Sequence, residues 1–563
     1  MIPMKKPNTT KFFALALALA LTILTACSDS VNIGGNNGSA EYDTEKESKK
    51  ESENENKIET PAEPFTFENK VFTYDFDSKT TVLPTPTAEK LPVWRGFNLT
   101  EALFTVDFEP FNEDDFRLMA EWGFNFVRIP IDYRGLIIDG DWDKFSETKF
   151  AMLDKALEYG IKYDLHINYC LHRAPGHTNF DPPEATDIWK DDEPLEAFAN
   201  MWGVFAERYK NVPNEYVSFN LLNEPAYITE EAHLRVAEKA CRAIWDISPG
   251  RLIIVDGYNV GLEPSDKIRE LGAAQSTRGY APAELTHYEA EWAPWNAGAP
   301  LPEWPVMSLP RFLFGNMKQS DRTIFGFDYD FPEDYTLSVK IGTVCNSATL
   351  VIKADGVKLL EHKFNTEKDK DDCEKSEWDE QWQIYVNDYN LYFTVNIPSG
   401  TQNVTIENTV GDWMTLEDTA FASVSGNSPE FSFQPTIIEW AWKFPQLKID
   451  SNGSVVEITG GEEIRDAEWL KKEYMDLWIE VMESGGGVMV GEFGCYNKTP
   501  HDVVLRWMED YLKIWKDAGI GWAMWNFDGT IGIINSGRAD VEYEDLSDGR
   551  KLDRAMLELL RKY

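Results

Sequence analysis

Positive charge is scarce in this chain. Its 563 residues carry 54 Lys and Arg against 96 Asp and Glu, a formal net charge of −42. A field of that sign repels phosphate backbones and anionic lipid surfaces, so no nucleic-acid partner is expected, and a neutral polymer is acceptable. Cysteine is also scarce: Cys27, Cys170, Cys241, Cys345, Cys373 and Cys495 are all there are. None belongs to a C-x-x-C or C-x-x-H cluster, so no metal site is expected. With Cys27 set aside as a lipidation site, an odd number remains. No disulfide framework is expected, although Cys345 and Cys373 could pair within one domain. A Gly-rich phosphate loop is missing, which removes the nucleotide-dependent α/β enzymes. After the N-terminus, no apolar run is long enough to span a bilayer.

Aromatic residues are plentiful, with 20 Trp and 22 Tyr. Indole rings fill cores, and they also pack against the C–H faces of sugars. The chain is too long for one ordinary core, so two or more domains are expected.

Residues 1–27 read as a lipoprotein signal peptide. Lys5, Lys6 and Lys11 precede the apolar run Phe12 to Leu24, a charged n-region followed by a short h-region. The run ends in Leu24-Thr25-Ala26-Cys27, which resembles a bacterial lipobox and implies lipidation at Cys27. Residues 28–89 begin with Asn, Ser, Glu, Lys and Gly and little to bury, the composition of a disordered acidic tether.

From Leu91 onward, short apolar runs alternate with amphipathic helices, the mark of a parallel sheet. The expected strands are Arg95–Leu99, Phe124–Ile129, Leu165–Leu171, Tyr216–Leu221, Leu252–Val255, a poorly defined one near 278–288, Val488–Gly491 and Gly521–Trp525. Helices are expected at Asp114–Trp122, Lys149–Tyr159 (stopping at Gly160), Ala232–Ile247, Val503–Ala518 and Leu552–Leu560. Eight such units suit a closed (β/α)8 TIM barrel, split into 90–309 and 446–563. Between them, residues 310–445 alternate with period two, as in Tyr335 to Gly342 and Asn403 to Glu407. That pattern predicts an inserted antiparallel β-sandwich whose two ends lie close together. It serves either as a buttress or as a carbohydrate-binding module, with Trp382 and Trp413 as contacts.

In such a barrel the site lies at the C-terminal ends of the strands. Strand two ends in Arg128, strand three in His172-Arg173-Ala174-Pro175-Gly176, strand four in Asn223-Glu224-Pro225, strand seven in Gly491-Glu492-Phe493-Gly494, and strand eight in Trp525-Asn526-Phe527. Glu224 and Glu492 would then face each other across the mouth. Glycoside hydrolysis needs such a pair, one carboxyl as acid and base and the other as nucleophile. An arginine beside Glu492 would keep it ionised, while burial and like charge would raise Glu224.

This ordered set, with Trp94-Arg95-Gly96-Phe97-Asn98-Leu99 ahead of it, resembles glycoside hydrolase family 5, the cellulase-like branch, over about 90–305 and 445–563. The resemblance implies acid/base work for Glu224 and nucleophilic attack by Glu492. It implies that Asn223 binds the sugar 2-hydroxyl, that Arg128 supports the nucleophile, that His172 lines the same subsite and that Trp525 is a stacking platform. Strand six departs from the family's His-x-Tyr. The favoured reading sets Tyr280 against the nucleophile with Arg278 in the His place and His287 on the next loop; His287-Tyr288 is the alternative. Trp292, Trp295 and Trp304 on that loop would extend the cleft.

The expected function is extracellular, cofactor-free, retaining hydrolysis of a β-glucan, β-1,4 or mixed-linkage, by a protein anchored to the membrane through Cys27. A β-1,3-glucanase or β-mannanase of the same family is the nearest alternative. A non-catalytic glycan-binding surface lipoprotein is the alternative from another class.

Overall fold

Eight short strands close into a parallel barrel, each hydrogen-bonded to the next and the last to the first. They are β1 (Arg95–Asn98), β2 (Phe126–Asp132), β3 (His166–Arg173), β4 (Val217–Asn220), β5 (Ile253–Asp256), β6 (Ala274–Gly279), β7 (Val488–Phe493) and β8 (Gly521–Met524). This computed structural model describes residues 69–563 other than 105, 319–323, 438–442 and 462–463. Cys27 and the signal peptide lie outside the described residues.

Side chains on the strands divide by direction. Those facing outward, such as Phe97, Val127, Tyr169, Phe219 and Val490, join the main core beneath the helices. Inside, the N-terminal end is plugged by an apolar layer of Phe126, Ile254, Met489 and Ala523 over Trp94. Above it the interior turns polar, and that polar layer carries the site.

Three sequence expectations need correction. Strand two runs on to Asp132, so Arg128 is its third residue rather than its end. Strand six lies at Ala274–Gly279, earlier than 278–288; it is fully buried although its residues are Ala-Gln-Ser-Thr-Arg-Gly, so apolarity does not reveal it. The helix Glu147–Lys162 passes through Gly160, where a Cβ would stand 2.5 Å from the Ile167 side chain. That glycine permits close approach of helix to strand; it is no stop signal.

Residues 69–89 were expected in the tether, but they lie along the barrel. Phe72 is buried, and its amide donates to Arg208 O at 2.7 Å. Phe72, Tyr74 and Phe76 supply the apolar surface that holds this segment against the core.

Between β6 and β7 the chain builds two further sheets, strands Phe312–Phe314 to Val455–Gly460. Among the described residues their strand pairs are antiparallel apart from one parallel pair, Phe325–Asp328 with Pro445–Ile449. Their facing side chains, among them Leu337, Ile341, Leu350, Ile406 and Phe421, form a core separate from that of the barrel. The last two strands lie at and beyond residue 445. Entry and exit meet: Val306 and Arg465 exchange backbone hydrogen bonds at 3.0 Å each. Cys345 and Cys373 are both free thiols, so the pairing considered from sequence is not formed.

Candidate active site

Arg128 is buried at the centre of the polar layer, and all five of its N–H groups are occupied. Nε donates to Asn220 Oδ1 at 2.9 Å, and Nη1 to Asn98 Oδ1 at 3.0 Å and Glu492 Oε1 at 2.6 Å. Nη2 donates to Asn223 Oδ1 at 2.9 Å and to Cys170 Sγ at 3.0 Å. Burial pushes the Cys170 thiol up to about 12, so it takes part as a neutral group. The other oxygen of Glu492, Oε2, accepts from the Tyr280 hydroxyl at 3.3 Å. Glu492 is only 4% exposed. Such a buried carboxylate requires a charged, hydrogen-bonded partner, and Arg128 supplies it.

Glu224 follows β4 in the left-handed region, at φ +46°. Non-glycine residues held there carry strain of about 1–3 kcal/mol and concentrate at functional sites. Its backbone N–H donates to Asp256 Oδ2 at 3.0 Å, which fixes the turn. Its carboxyl accepts from Arg278 Nε at 2.7 Å (Oε1) and from Asn179 Nδ2 at 3.1 Å (Oε2). Arg278 Nη2 also lies 3.4 Å from Glu492 Oε1, so one guanidinium touches both carboxyls. Burial pushes Glu224 up to about 7 against the pull of Arg278, with the Glu492 charge adding to the rise. Burial thus holds Glu224 toward its protonated form, whereas Glu492 is held by Arg128 and the Tyr280 hydroxyl.

The other expected residues gather here to different degrees. Asn223 is fully buried; its Oδ1 accepts from both arginines and its amide nitrogen lies 3.3 Å from His172 Nε2. His172 Nδ1 is 4.0 Å from Glu492 Oε1, and burial with the charges of Arg128 and Arg278 holds the ring well below its usual range, hence neutral. Trp525 is half-buried, its ring 5.4 Å from that of His172. Of the two tyrosines considered from sequence, Tyr280 is the one that reaches Glu492. His287 packs edge-on against Tyr280 at 5.4 Å and bonds Thr286, so it supports the site from behind. Trp292 is exposed beside Tyr496, whereas Trp304 is buried with its indole N–H on Asp510 at 2.9 Å and so is not a cleft residue. In the sandwich Trp382 is exposed, and Trp413 packs edge-on against Phe312.

Sequence reading missed Asp256, Asn98, Asn220 and Asn179. Asp256 was the most legible, an aspartate closing the apolar strand Ile253-Ile254-Val255. It is fully buried and bonded to Arg278, Asn220 and the Glu224 amide. Among the described residues, no three His, Cys, Asp or Glu side chains are grouped to hold a metal ion.

A cavity of about 420 Å³ opens at the same end of the barrel, beside the residues that follow β1 and β8. Glu101, Phe104, Asn112, Asp115, Asp528 and Arg550 line it.

The model of the family Cellulase (glycosyl hydrolase family 5) matches residues 86–395. That stretch contains Arg128, His172, Asn223, Glu224, Arg278 and Tyr280; Glu492 and Trp525 lie beyond it. Endoglucanase C of Acetivibrio thermocellus is 28% identical over 187 residues, covering 32% of this chain and 53% of that protein. Glucan 1,3-beta-glucosidase of Pichia angusta is 45% identical over 154 residues, 26% of this chain and 35% of that protein. The chain spans about half the length, or less, of these curated relatives. A crystal structure of a glycoside hydrolase superposes with a TM-score of 0.53 at 24% identity, covering 83% of this chain and 98% of the other. That likeness is one of fold.

Proposed function

This chain belongs to glycosyl hydrolase family 5, and from that premise we propose that it cleaves a β-linked glucan with retention, Glu492 as nucleophile and Glu224 as acid and base. The observation that carries the reading is the pair of strand-end carboxyls bridged by one guanidinium, with Arg128 holding Glu492. Retention calls for carboxyls about 5–5.5 Å apart, inversion for about 6.5–9.5 Å. Contact of both with Arg278 brings the two carboxyls close together, and retention is the outcome we favour.

In the first step a Glu492 oxygen forms a bond to the anomeric carbon as the glycosidic C–O bond breaks. The leaving oxygen takes the Glu224 proton. In the second step a water oxygen bonds to the same carbon, the bond to Glu492 breaks, and the water proton goes to Glu224. Arg128 and the Tyr280 hydroxyl stabilise Glu492 whenever it is the leaving carboxylate. Neutral His172 remains available to hydrogen-bond sugar hydroxyls, and Trp525 offers a ring face. The cavity beside β1 pairs polar groups with Phe104, 70% exposed at its rim. That combination suits a second sugar unit.

The preferred polymer is a β-1,4- or mixed-linkage glucan, in keeping with the name of the Acetivibrio relative. A β-1,3-glucan is the second reading, favoured by the name of the Pichia relative. We read the protein as extracellular and held to a membrane through lipidated Cys27, and the sandwich as a glycan-binding module.

Reducing-sugar release would be measured on mixed-linkage β-glucan, carboxymethyl cellulose, β-1,3-glucan and β-mannan, with Glu492→Gln as control. Release that falls by roughly three or more orders of magnitude in the control is expected. Equal release by both proteins would remove Glu492 from the mechanism. Binding without release on all four polymers would leave a glycan-binding protein.

A further inference from the structure

Every N–H group of Arg278 has a partner. Nε donates to Glu224 Oε1 at 2.7 Å; Nη1 donates to Ser276 Oγ at 3.3 Å and Thr277 O at 3.1 Å; Nη2 donates to Asn223 Oδ1 at 2.8 Å and to Asp256 Oδ2. Ser276, Thr277, Asn223 and Asp256 are all buried, each 1% exposed or less. The Glu224 side chain retains 20% exposure, so it is the one partner that a ligand can reach.

The backbone makes room for this guanidinium. A Cβ at Gly261, itself at φ +77°, would stand 3.0 Å from Arg278 Cγ. A Cβ at Gly491 would stand 3.0 Å from Arg278 Nη1 and 2.4 Å from Ser276 Oγ. Two glycines from separate loops and strands therefore clear the space that a large planar cation needs. The arginine is a built feature of the site.

Several groups face Glu224. Arg278 and Tyr280 come from β6 and its end, Glu492 from β7, Asp256 from β5, and Asn179 from the loop after β3. Arg128 from β2 stands behind Asn223. Arg278 is the cation in direct contact with the Glu224 carboxyl.

We propose that Arg278 is the positioning residue of Glu224: it clamps Oε1 through Nε, which leaves Oε2 as the oxygen that carries the proton, and it favours the ionised carboxyl. This rests on the reading of Glu224 as acid and base. The consequence is asymmetric across the reaction. In the first step the Glu224 O–H bond breaks and its proton passes to the departing oxygen, which a neighbouring cation opposes by disfavouring the protonated carboxyl beforehand. In the second step the carboxylate takes a proton from the attacking water, and the cation keeps that carboxylate ready.

The test compares wild type, Arg278→Met and Arg278→Lys. With cellotetraose, whose departing sugar oxygen needs a proton, the alkaline limb of kcat/KM is expected to move up by one pH unit or more in Arg278→Met and to return toward wild type in Arg278→Lys. A second readout needs no turnover: 13C NMR titration of labelled glutamate carboxyls, with Glu224→Gln assigning the resonance. The Glu224 midpoint should rise by the same amount in Arg278→Met. Should wild type cleave nothing while the midpoint still moves, the hydrolase reading fails and the clamp stands. An unmoved midpoint in folded Arg278→Met overturns the clamp. If Arg278→Met does not fold because Asp256 is left unpaired, Arg278→Met with Asp256→Asn is compared with Asp256→Asn alone. Equal midpoints in that pair overturn the proposal as well.

Discussion

The side chain on which most of the site depends is Arg128. Its fork binds three asparagines, a thiol and Glu492 at once, and its charge also stands 3.8 Å from Asp256. Lysine has a point charge and no planar fork, so Arg128→Lys would leave several of these acceptors unmet. Arg128→Met would go further and leave buried carboxylates short of a counter-charge, a change that costs about 3–5 kcal/mol when one partner of a buried pair is removed. We expect a lower urea midpoint for Arg128→Met than for Arg128→Lys, with activity at background in both. A midpoint unchanged in Arg128→Met would show that Arg278 alone satisfies Glu492. The proton balance of Glu224 gives a second residue-scale expectation. A carboxyl pushed up to about 7 is the reactive acid below that pH and is lost as an acid above it. The kcat/KM of wild type should therefore decline above about pH 7, approaching tenfold per pH unit, and a flat profile to pH 9 would contradict the assignment.

Strands make these residues converge, and the strands were unequally legible. Where one face is apolar, as in Tyr216 to Leu221 and Val488 to Gly491, the pattern located the element and its terminal glutamate. Glu224 and Glu492 were readable because each sits in a short motif at such a strand end. β6 was not readable by apolarity. Its side chains Gln275, Ser276, Thr277 and Arg278 are buried by being hydrogen-bonded, for example Ser265 N to Gln275 Oε1 at 2.8 Å and Thr277 Oγ1 to Gly261 O at 3.0 Å. A sequence shows hydrophobicity locally, whereas the partners that allow polar burial come from distant segments. Asp256 and Asn98 were missed for the same reason. β7 carries an element-scale prediction. Gly491→Ala places a methyl group 2.4 Å from Ser276 Oγ and 3.0 Å from Arg278 Nη1, while the strand's outward face is untouched. Activity should fall by one or more orders of magnitude, while the thermal midpoint drops by only a few degrees, as for about 1–3 kcal/mol of overpacking. A large loss of stability with activity intact would mean that the barrel, and not the site, absorbs the methyl group.

At the scale of the whole molecule, two cores share one chain. The sandwich core and the barrel core form separate clusters of buried side chains, and the polypeptide leaves and re-enters the barrel at an antiparallel bridge, Val306 with Arg465. Arg465 also pairs with Glu284 and stacks its guanidinium over Trp469 at 4.9 Å, which anchors that junction on the barrel side. An insert whose ends are already paired can be replaced by a tight turn at little cost in loop closure. We therefore expect that replacing residues 307–464 with a two-residue Asn-Gly turn yields a folded barrel. Among the described residues, the hydrogen bonds and ion pairs of Arg128, Glu224, Arg278, Tyr280 and Glu492 all go to barrel residues, so hydrolysis of a soluble aryl cellobioside should stay within about threefold of the full chain. The sandwich reading as a glycan-binding module adds a second expectation: pull-down on insoluble glucan should weaken on excision, and Trp382→Ala in the full chain should weaken it in the same direction. Retained turnover with unchanged pull-down would make the sandwich a buttress. Loss of turnover in a folded excised barrel would instead mean that the sandwich helps to shape the cleft, and the loop carrying Trp292 and Trp295, which leads from β6 toward the insert, would be where that influence enters.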